Sequence, residues 1–218
     1  MSRPLKNESK LSKEVLLKSA LNIIDEEGEK ALSFRALAKK HNVTPMAVSH
    51  HVGTRHKMIS DLVSLIYQGV GDAPEKCKPI DSLRFILTRY CTRVLEHPNL
   101  AQCVLADQSL FSGQLVVLTN LIHSNITECG VDDDEVDIIL NLIVDYTHGF
   151  AISATTGSSH NGDEVTLTIN DYLHSLNWVL ARLNPEGGGM TNNGIEKTRE
   201  KSHTNSRPAT KKGLAISS

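Results

Sequence analysis

Apolar residues recur every three or four positions through most of this chain, and that spacing is typical of one buried face of an α-helix. The first such run follows Ser12, a good N-cap, and stops at Gly28, which suits a helix end. A first helix is therefore predicted between these two residues. Its apolar positions are Leu16, Leu17, Ala20, Leu21, Ile23 and Ile24.

The next segment, residues 33–57, predicts two short helices separated by a tight turn. Ser33 is suited to cap the first of them, and Leu37 and Ala38 follow at helical spacing. Asn42 then makes the turn. The pattern predicts a short helix that buries one narrow apolar stripe.

The second short helix starts at Thr44 and Pro45, because threonine caps free N–H groups and proline is tolerated in a first helical turn. It runs from about Pro45 to Val52, and Gly53 ends it. Its inward positions are Ala47, Val48 and Val52. The positions that point outward or lie at the rim are Thr44, Met46, Ser49, His50 and Arg55. This is the layout of a helix-turn-helix that binds DNA, although such pairs also occur in helical proteins that never bind DNA.

The rest of the chain also has helical spacing. A connecting helix begins near residue 54 and ends at the Gly-Asp-Ala-Pro sequence of residues 71–74. Strand patterns are sparse, so the fold class is predicted to be all-α. The further predicted helices are residues 81–96, a short one at about 100–105, 113–129, 135–150, which contains the apolar segment 136–144, and a last one at about 163–183.

The segment at residues 136–144 is apolar nearly all round, which predicts packing against two layers. Ile138 and Leu142 lie on a different side from the other apolar positions. The two layers are either a deep core of one subunit, or a core and a second subunit; we favour the second, since dimers read two half-sites of DNA. The residues expected at a dimer interface are Val136, Ile139, Ile143, Ile169, Tyr172, Leu176 and Val179.

The order of signals from Leu16 to Met58 resembles the tetracycline-repressor (TetR) family of bacterial transcription regulators. In this chain the order is an apolar helix, Gly28, the sequence SFRALA, the sequence NVT and then HVGTR. The resemblance implies an N-terminal three-helix helix-turn-helix domain followed by a helical ligand-binding and dimerisation domain. It divides the chain into a DNA-binding domain (1–57), a connecting helix (58–72), an effector-binding and dimerisation domain (73–185) and a disordered polar tail (186–218).

The resemblance also implies which residues contact DNA. Arg35 would reach a guanine edge or a phosphate, and Arg55 would anchor a phosphate. The recognition helix departs from the family at Ser49, where a tyrosine is usual; a serine hydroxyl still donates to a phosphate over a shorter reach. The expected DNA contacts are Ser33, Arg35, Thr44, Pro45, Met46, Ser49, His50, His51 and Arg55.

A looser resemblance covers the body of the chain, at the corner HPNLA (97–101), the helix break CGVD (129–132) and residues 146–149. It implies a dimer bundle and an inner cavity for a small effector. The candidate ligand contacts are Gln102, Gln108, His123, Asp145 and His148. The metal-contacting histidine of tetracycline-binding members falls near Val104, so a tetracycline–magnesium effector is not expected.

Charge supports the DNA-binding interpretation. The chain is nearly neutral at net −2, but residues 1–57 carry +5 and residues 58–185 carry −10. A basic lobe on an acidic body suits a DNA-binding protein, because neutralised phosphates supply most of the sequence-independent affinity.

Other function classes find little support. The histidines show no zinc spacing, and no phosphate loop or nucleophile elbow is present, so neither a metal, a cofactor nor an enzyme is expected. The four cysteines form no Cys-x-x-Cys pair and are expected to be buried or incidental, with a redox sensor as the alternative. Without an apolar signal core or a long uninterrupted apolar stretch, a soluble cytoplasmic protein with no membrane association is expected.

The sequence therefore predicts a DNA-binding transcriptional regulator, namely a ligand-responsive repressor that binds a palindromic operator as a homodimer. Its partners would be double-stranded DNA, a second copy of the chain and a small-molecule effector. One alternative is an effector-binding or protein-interaction module with a vestigial DNA head. The other is a small helical enzyme.

Overall fold

The computed structural model describes residues 11–111, 113–156, 158–160, 163–165 and 167–183. These described residues belong to one compact unit. Short 3-10 turns lie at Glu29–Ala31 and Gln108–Leu110. The helices are α1 (Lys13–Glu27), α2 (Phe34–His41), α3 (Pro45–Val52), α4 (Arg55–Tyr67), α5 (Pro79–Glu96), α6 (Pro98–Ala106), α7 (Gln114–Glu128), α8 (Asp133–Thr156) and α9 (Ile169–Leu183).

The predicted start signals of the first three helices are confirmed. The side chain of Ser12 accepts a hydrogen bond from the Val15 amide. Ser33 and Thr44 accept from the third residue of their helices, at 3.1 Å each. Asn42 adopts the left-handed conformation with φ 54°, which asparagine tolerates better than most residues. Local chemistry thus sets where the helices of the helix-turn-helix begin and turn.

The first three helices share one small core. We call these three helices, together with the start of α4, the head. Leu16 and Ile24 of α1, Leu37 of α2 and Val48 of α3 are each fully buried. α2 and α3 pack on each other, and α1 packs on both. Because each helix contributes a single apolar stripe, its opposite side stays in solvent.

Helix α4 connects the head to the rest of the chain. Met58, Leu62 and Val63 are completely buried along it. The helix contacts α1 and α3 in the head, and α5 and α7 beyond it. It is shorter than the predicted connecting helix, since it ends at Tyr67.

The body is built around α5, which packs against α7, α8 and α9. Leu83, Ile86 and Leu87 of α5 are fully buried. A buried hydrogen bond of 2.8 Å joins Tyr172 of α9 to Thr147 of α8. The Thr147 hydroxyl donates to a carbonyl of its own helix, so it accepts from the tyrosine. The helical architecture expected of the chain is thereby confirmed.

Two predicted boundaries in the body are wrong. The last helix begins at Ile169 rather than near 163, because residues 163–165 form a short strand that pairs antiparallel with residues 158–160. Helix α8 continues to Thr156, six residues past its predicted end at residue 150. The predicted disordered tail, residues 186–218, lies outside the described residues.

The expected dimer residues face the chain's own core, so this expectation needs correction. Their positions share the apolar side of α8 and α9 that packs inward, so little surface remains there for a partner. Val136, Ile143, Tyr172 and Leu176 are at most 2% exposed, and Ile139, Ile169 and Val179 are half-buried against the same core. The exposed apolar side chains of these two helices are Ile138, Leu142, Ile152 and Trp178.

Helix α8 is also the one described helix whose length and apolar composition would allow it to cross a membrane. Composition alone is weak evidence for a span. In the structure this helix packs against α5, α6, α7 and α9, as a core helix does.

The N-caps of the helix-turn-helix give the first prediction. Removing the hydroxyl in Ser33→Ala or Thr44→Ala should lower the free energy of unfolding by about 1 kcal/mol each, because an amide at the helix start loses its acceptor. Denaturant-induced unfolding followed by circular dichroism measures this loss. The control is Thr127→Ala within α7, where an exposed threonine bonds its own helix and alanine is the better helix former. Equal losses in all three variants would contradict the capping role.

Candidate nucleic-acid interface and internal cavity

Helix α3 presents most of its surface to solvent. Only Val48 and Val52 are buried among its residues. Met46 is 79% exposed, more than any other large apolar side chain described. His50 and His51 are exposed beside it, with their rings edge to face at 5.7 Å. An apolar tip next to hydrogen-bonding rings matches the mixed chemistry of a DNA major groove, which offers thymine methyl groups and base-edge acceptors.

The serine that replaces the family's tyrosine is turned toward its own helix. Ser49 is half-buried, and its hydroxyl donates to the carbonyl of Gly53 at 3.4 Å. This bond is long and therefore weak. The hydroxyl would have to rotate away from it to donate to a phosphate.

Helix α2 supplies the basic part of this surface. Arg35, Lys39 and Lys40 are all exposed on it. The two N-caps, Ser33 and Thr44, lie at the starts of α2 and α3, where unpaired N–H groups favour anions. That these residues contact DNA stays a prediction.

Arg55, which was predicted to anchor a phosphate, instead contacts Glu29 and Leu32 of its own chain. Its guanidinium donates to the carbonyls of Glu29 at 2.9 Å and Leu32 at 3.2 Å, and it forms an ion pair with the Glu29 carboxylate. These bonds tie the start of α4 to the turn between α1 and α2. A phosphate contact from Arg55 would compete with this pairing.

Polar contacts attach the head to the body. The Asn99 amide donates to the carbonyls of Ile24 at 2.9 Å and Asp25 at 3.1 Å, near the end of α1. The ring of His97 lies 2.9 Å from the Asp25 carboxylate. On the other side, His56 and the Ser109 hydroxyl are 2.8 Å apart. The predicted corner at residues 97–101 therefore joins the two parts of the chain.

The body contains a cavity of about 370 Å³. That volume lies within the usual range of small-molecule sites, about 300–1,000 Å³. Helices α4 to α8 all contribute to its lining. The lining residues are Tyr67, Tyr90, Ala101, Val104, Leu105, Gln108, Phe111, Leu115, Leu118, Thr119, Ile122, Val144, Asp145 and His148.

A hydrogen-bonded pair, Tyr90 and His148, forms part of the polar lining of the cavity. The Tyr90 hydroxyl and Nε2 of His148 are 2.6 Å apart. Burial lowers the pKa of His148, and the nearby Asp145 charge only partly opposes this. Burial also raises the pKa of Tyr90 well above its ordinary value. Both side chains are therefore neutral near pH 7.

Three of the five candidate ligand residues lie at this cavity, namely Gln108, Asp145 and His148. The other two do not, because the helices turn them outward. Gln102 is exposed and touches only a crevice of about 10 Å³. His123 is exposed on α7, with its ring 3.6 Å from the Asp137 carboxylate.

Sequence reasoning missed the aromatic part of the lining, which consists of Tyr67, Tyr90 and Phe111. Tyr67 is the last residue of α4, and its ring lies 5.5 Å from that of Tyr90. Both tyrosines lie within helical patterns, and nothing in the spacing of residues distinguishes a tyrosine that lines a cavity from one in an ordinary core. Only the gap between the helices shows that their rings border empty space.

The two buried cysteines, Cys91 and Cys103, are poorly placed for redox chemistry. Cys91 and Cys103 are buried, while Cys77 and Cys129 are half-buried. Burial raises the pKa of the Cys91 thiol to about 12 and that of Cys103 to about 11. Such thiols are poor nucleophiles because the thiolate is the reactive form.

Comparison with solved structures identifies the architecture. BioQ of Mycobacterium smegmatis is 20% identical, with a TM-score of 0.63, over 81% of this chain and 100% of that one. A BioQ structure with its double-stranded DNA operator matches at 19% identity and a TM-score of 0.61, over 80% and 98%.

Two regulators from Streptomyces coelicolor match similarly. SCO7222, a TetR, is 16% identical with a TM-score of 0.62, over 79% of this chain and 97% of that one. ActR in complex with (S)-DNPA is 17% identical with a TM-score of 0.58, over 79% and 96%. Sequence comparison finds no matching family model and no matching curated protein.

The environment of His148 gives the second prediction. Because its pKa is lowered in the folded chain from the ordinary 6.5, the neutral ring stabilises the fold at higher pH. That contribution is lost as pH falls below 6.5 through the lowered folded value. The free energy of unfolding of the wild type, minus that of His148→Gln, should thus decrease from about pH 7 to about pH 5. Denaturant unfolding across this range measures it, and a difference that stays constant or grows would contradict the assignment.

Proposed function

We propose that this chain, which has the helical fold of the TetR-type transcriptional regulators, is a DNA-binding transcriptional regulator. Specifically, it would be a ligand-responsive repressor that binds a palindromic operator as a homodimer. The observation that carries the proposal is the outer surface of α3. Six of its eight residues stay outside the core, on a head whose segment of the sequence is basic.

An exposed short helix has a physical use in this setting. Burying only two residues anchors α3 to the head while leaving Met46 and His50 free to enter a major groove. Arg35 on the neighbouring helix would add a contact to a guanine edge or a phosphate. The solved BioQ complex with its operator supports this use of the fold.

Ligand response would operate through α4. Tyr67 at its end borders the cavity, while Met58 nearer its start is buried close to the head. A ligand that displaced Tyr67 would shift α4 and with it the head. For such a ligand to release DNA, it must bind the non-DNA conformation more tightly. The solved ActR complex with (S)-DNPA supports ligand binding on this fold.

A homodimer would use the exposed apolar stripe of α8. Ile138, Leu142, Gly149 and Ile152 follow one another at helical spacing and are all exposed. Trp178 on α9, 60% exposed, adds a large apolar surface. Exposed apolar residues that share one helix face mark interaction surfaces, and the exposed Asp145 lies on this face between Leu142 and Gly149. A dimer would also bring two copies of α3 to two half-sites of one operator.

The remaining parts of the proposal concern chemistry and location. The protein would act by binding alone, without catalysis and without a resident cofactor. Its place of action would be the cytoplasm, where its DNA lies. The effector-binding module with a vestigial head is the competing function, and it predicts no sequence-specific DNA affinity.

DNA binding is tested by fluorescence anisotropy against DNA from upstream of the protein's own gene, at two salt concentrations. Wild type should bind with a preference for that sequence and weaken as salt rises, because binding releases counterions. Arg35→Ala should cost about 1–3 kcal/mol if Arg35 reads a base. His50→Ala should also weaken binding.

The controls are Arg93→Ala and His174→Ala, which remove the same side-chain types from the body, at a half-buried position of α5 and an exposed position of α9. Both should bind like wild type. Equal, weak and sequence-independent binding by all five proteins would refute the DNA-reading function and favour the competing module.

The dimer surface gives a further prediction. Leu142→Glu should convert the protein from twice its chain mass to a monomer, because two buried carboxylates would face each other across the contact. The control is Val117→Glu on α7, since Val117 is 59% exposed and Leu142 60%. Sedimentation equilibrium measures the mass. A monomeric wild type, or identical behaviour of the two variants, would rule out this interface.

A further inference from the structure

The charged residues around the cavity are all of one sign. Asp145 lies at the cavity, and the described lining includes no lysine or arginine. His148 adds no positive charge, because it is neutral near pH 7 and its Nε2 is bonded to the Tyr90 hydroxyl at 2.6 Å. The wall therefore carries one negative charge and no positive one.

The rest of the lining is apolar and aromatic. Leu115, Leu118 and Ile122 of α7 are buried, and the rings of Tyr67 and Phe111 also border the space. A ligand must bury a mainly apolar body to fill this cavity. Ring faces carry partial negative charge, so they attract cations as well.

These features discriminate between ligand charges. A carboxylate in the cavity would lose its hydration and find no cation to pair with, while Asp145 would repel it. An ammonium group would instead meet an opposite charge. Since Asp145 is itself exposed, this pairing would occur at the mouth of the cavity rather than deep within it.

We propose that the cavity binds an apolar aromatic compound that carries a basic amine and rejects the corresponding acid, with Asp145 receiving the ammonium group at the cavity mouth. This inference deepens the proposed ligand response and rests on it for its biological meaning. The binding itself concerns the cavity alone.

The position of Asp145 requires one precaution. Its place in α8 puts it next to the exposed stripe that includes Leu142 and Gly149, so a substitution there can also affect self-association. The mass of each variant is therefore measured beside its ligand affinity, and circular dichroism checks that each remains helical.

The experiment compares three fluorescent probes that share one ring system: anthracenylmethylamine, anthracenylmethanol and anthracene carboxylate. Each is titrated at pH 7 into the full chain without DNA, because a flat aromatic cation also binds DNA. Wild type should bind the amine at least about tenfold more tightly than the carboxylate. The alcohol should lie between them.

Two substitutions of Asp145 test its role in binding the amine. Asp145→Asn should weaken binding of the amine by about twofold to fivefold, as expected for an exposed ion pair, and leave binding of the alcohol unchanged. Asp145→Glu should keep the preference for the amine. The matched control is Asp137→Asn, which removes an exposed acid from the same helix outside the cavity and should change nothing.

A third substitution locates the site. Val104 is half-buried and borders the cavity, so Val104→Trp should fill the space and abolish binding of all three probes. Amine binding that survives Val104→Trp would place the probe elsewhere and overturn the proposal. The same conclusion follows if no probe binds, if the carboxylate binds as tightly as the amine, or if Asp145→Asn leaves the preference intact.

Failure here is distinguishable from failure of the proposed function. Loss of the amine preference would leave operator binding and its dependence on Arg35 untouched. Conversely, if the chain prefers the amine but binds no DNA, the proposed ligand class stands and the proposed regulator function is wrong.

Discussion

The burial of α4 between the head and the body is the contact on which the rest of the structure depends. Met58, Leu62 and Val63 are completely enclosed, and the helix packs against helices of both parts. Packed interiors tolerate little displacement without loss of contact. In the proposed ligand response, a displacement at the Tyr67 end of α4 would therefore be passed along this packed helix toward the head. The hydrogen bonds from Asn99 to the end of α1 add a second, polar attachment on another side.

The two proposed binding surfaces differ in charge and polarity. The head exposes Arg35 and the histidines of α3, a surface complementary to phosphates and base edges. The cavity is apolar, with a neutral Tyr90–His148 pair and one acid. The head thus suits an anionic polymer such as DNA, whereas the cavity suits a cationic or neutral small molecule. Not every cation of the head is available for this surface, since the charge of Arg55 is paired with Glu29 and those of Lys13 and Lys57 with Asp61.

Helix α8 shows how one helix serves two environments. Val136 and Ile143 are at most 2% exposed, whereas Ile138 and Leu142 are 65% and 60% exposed. The sequence pattern predicted two layers for this segment, and the positions of its two apolar sides agree with the structure. Which side faced the core was assigned wrongly, because both sides are equally apolar. A periodic pattern identifies faces, but it does not identify the neighbour of each face.

The sequence by itself determined the local elements of this protein. Ser33, Asn42, Thr44 and Gly53 specify the ends of α2 and α3 through backbone geometry and hydrogen bonds within a few residues, so neighbours in the chain were sufficient to predict them. The tertiary structure decided which residues share a space. Tyr67 and Tyr90 border the cavity, Gln102 and His123 turn away from it, and Arg55 joins Glu29 across 26 positions. These outcomes depend on how separate helices pack against one another, and the spacing of residues within each helix does not contain that information.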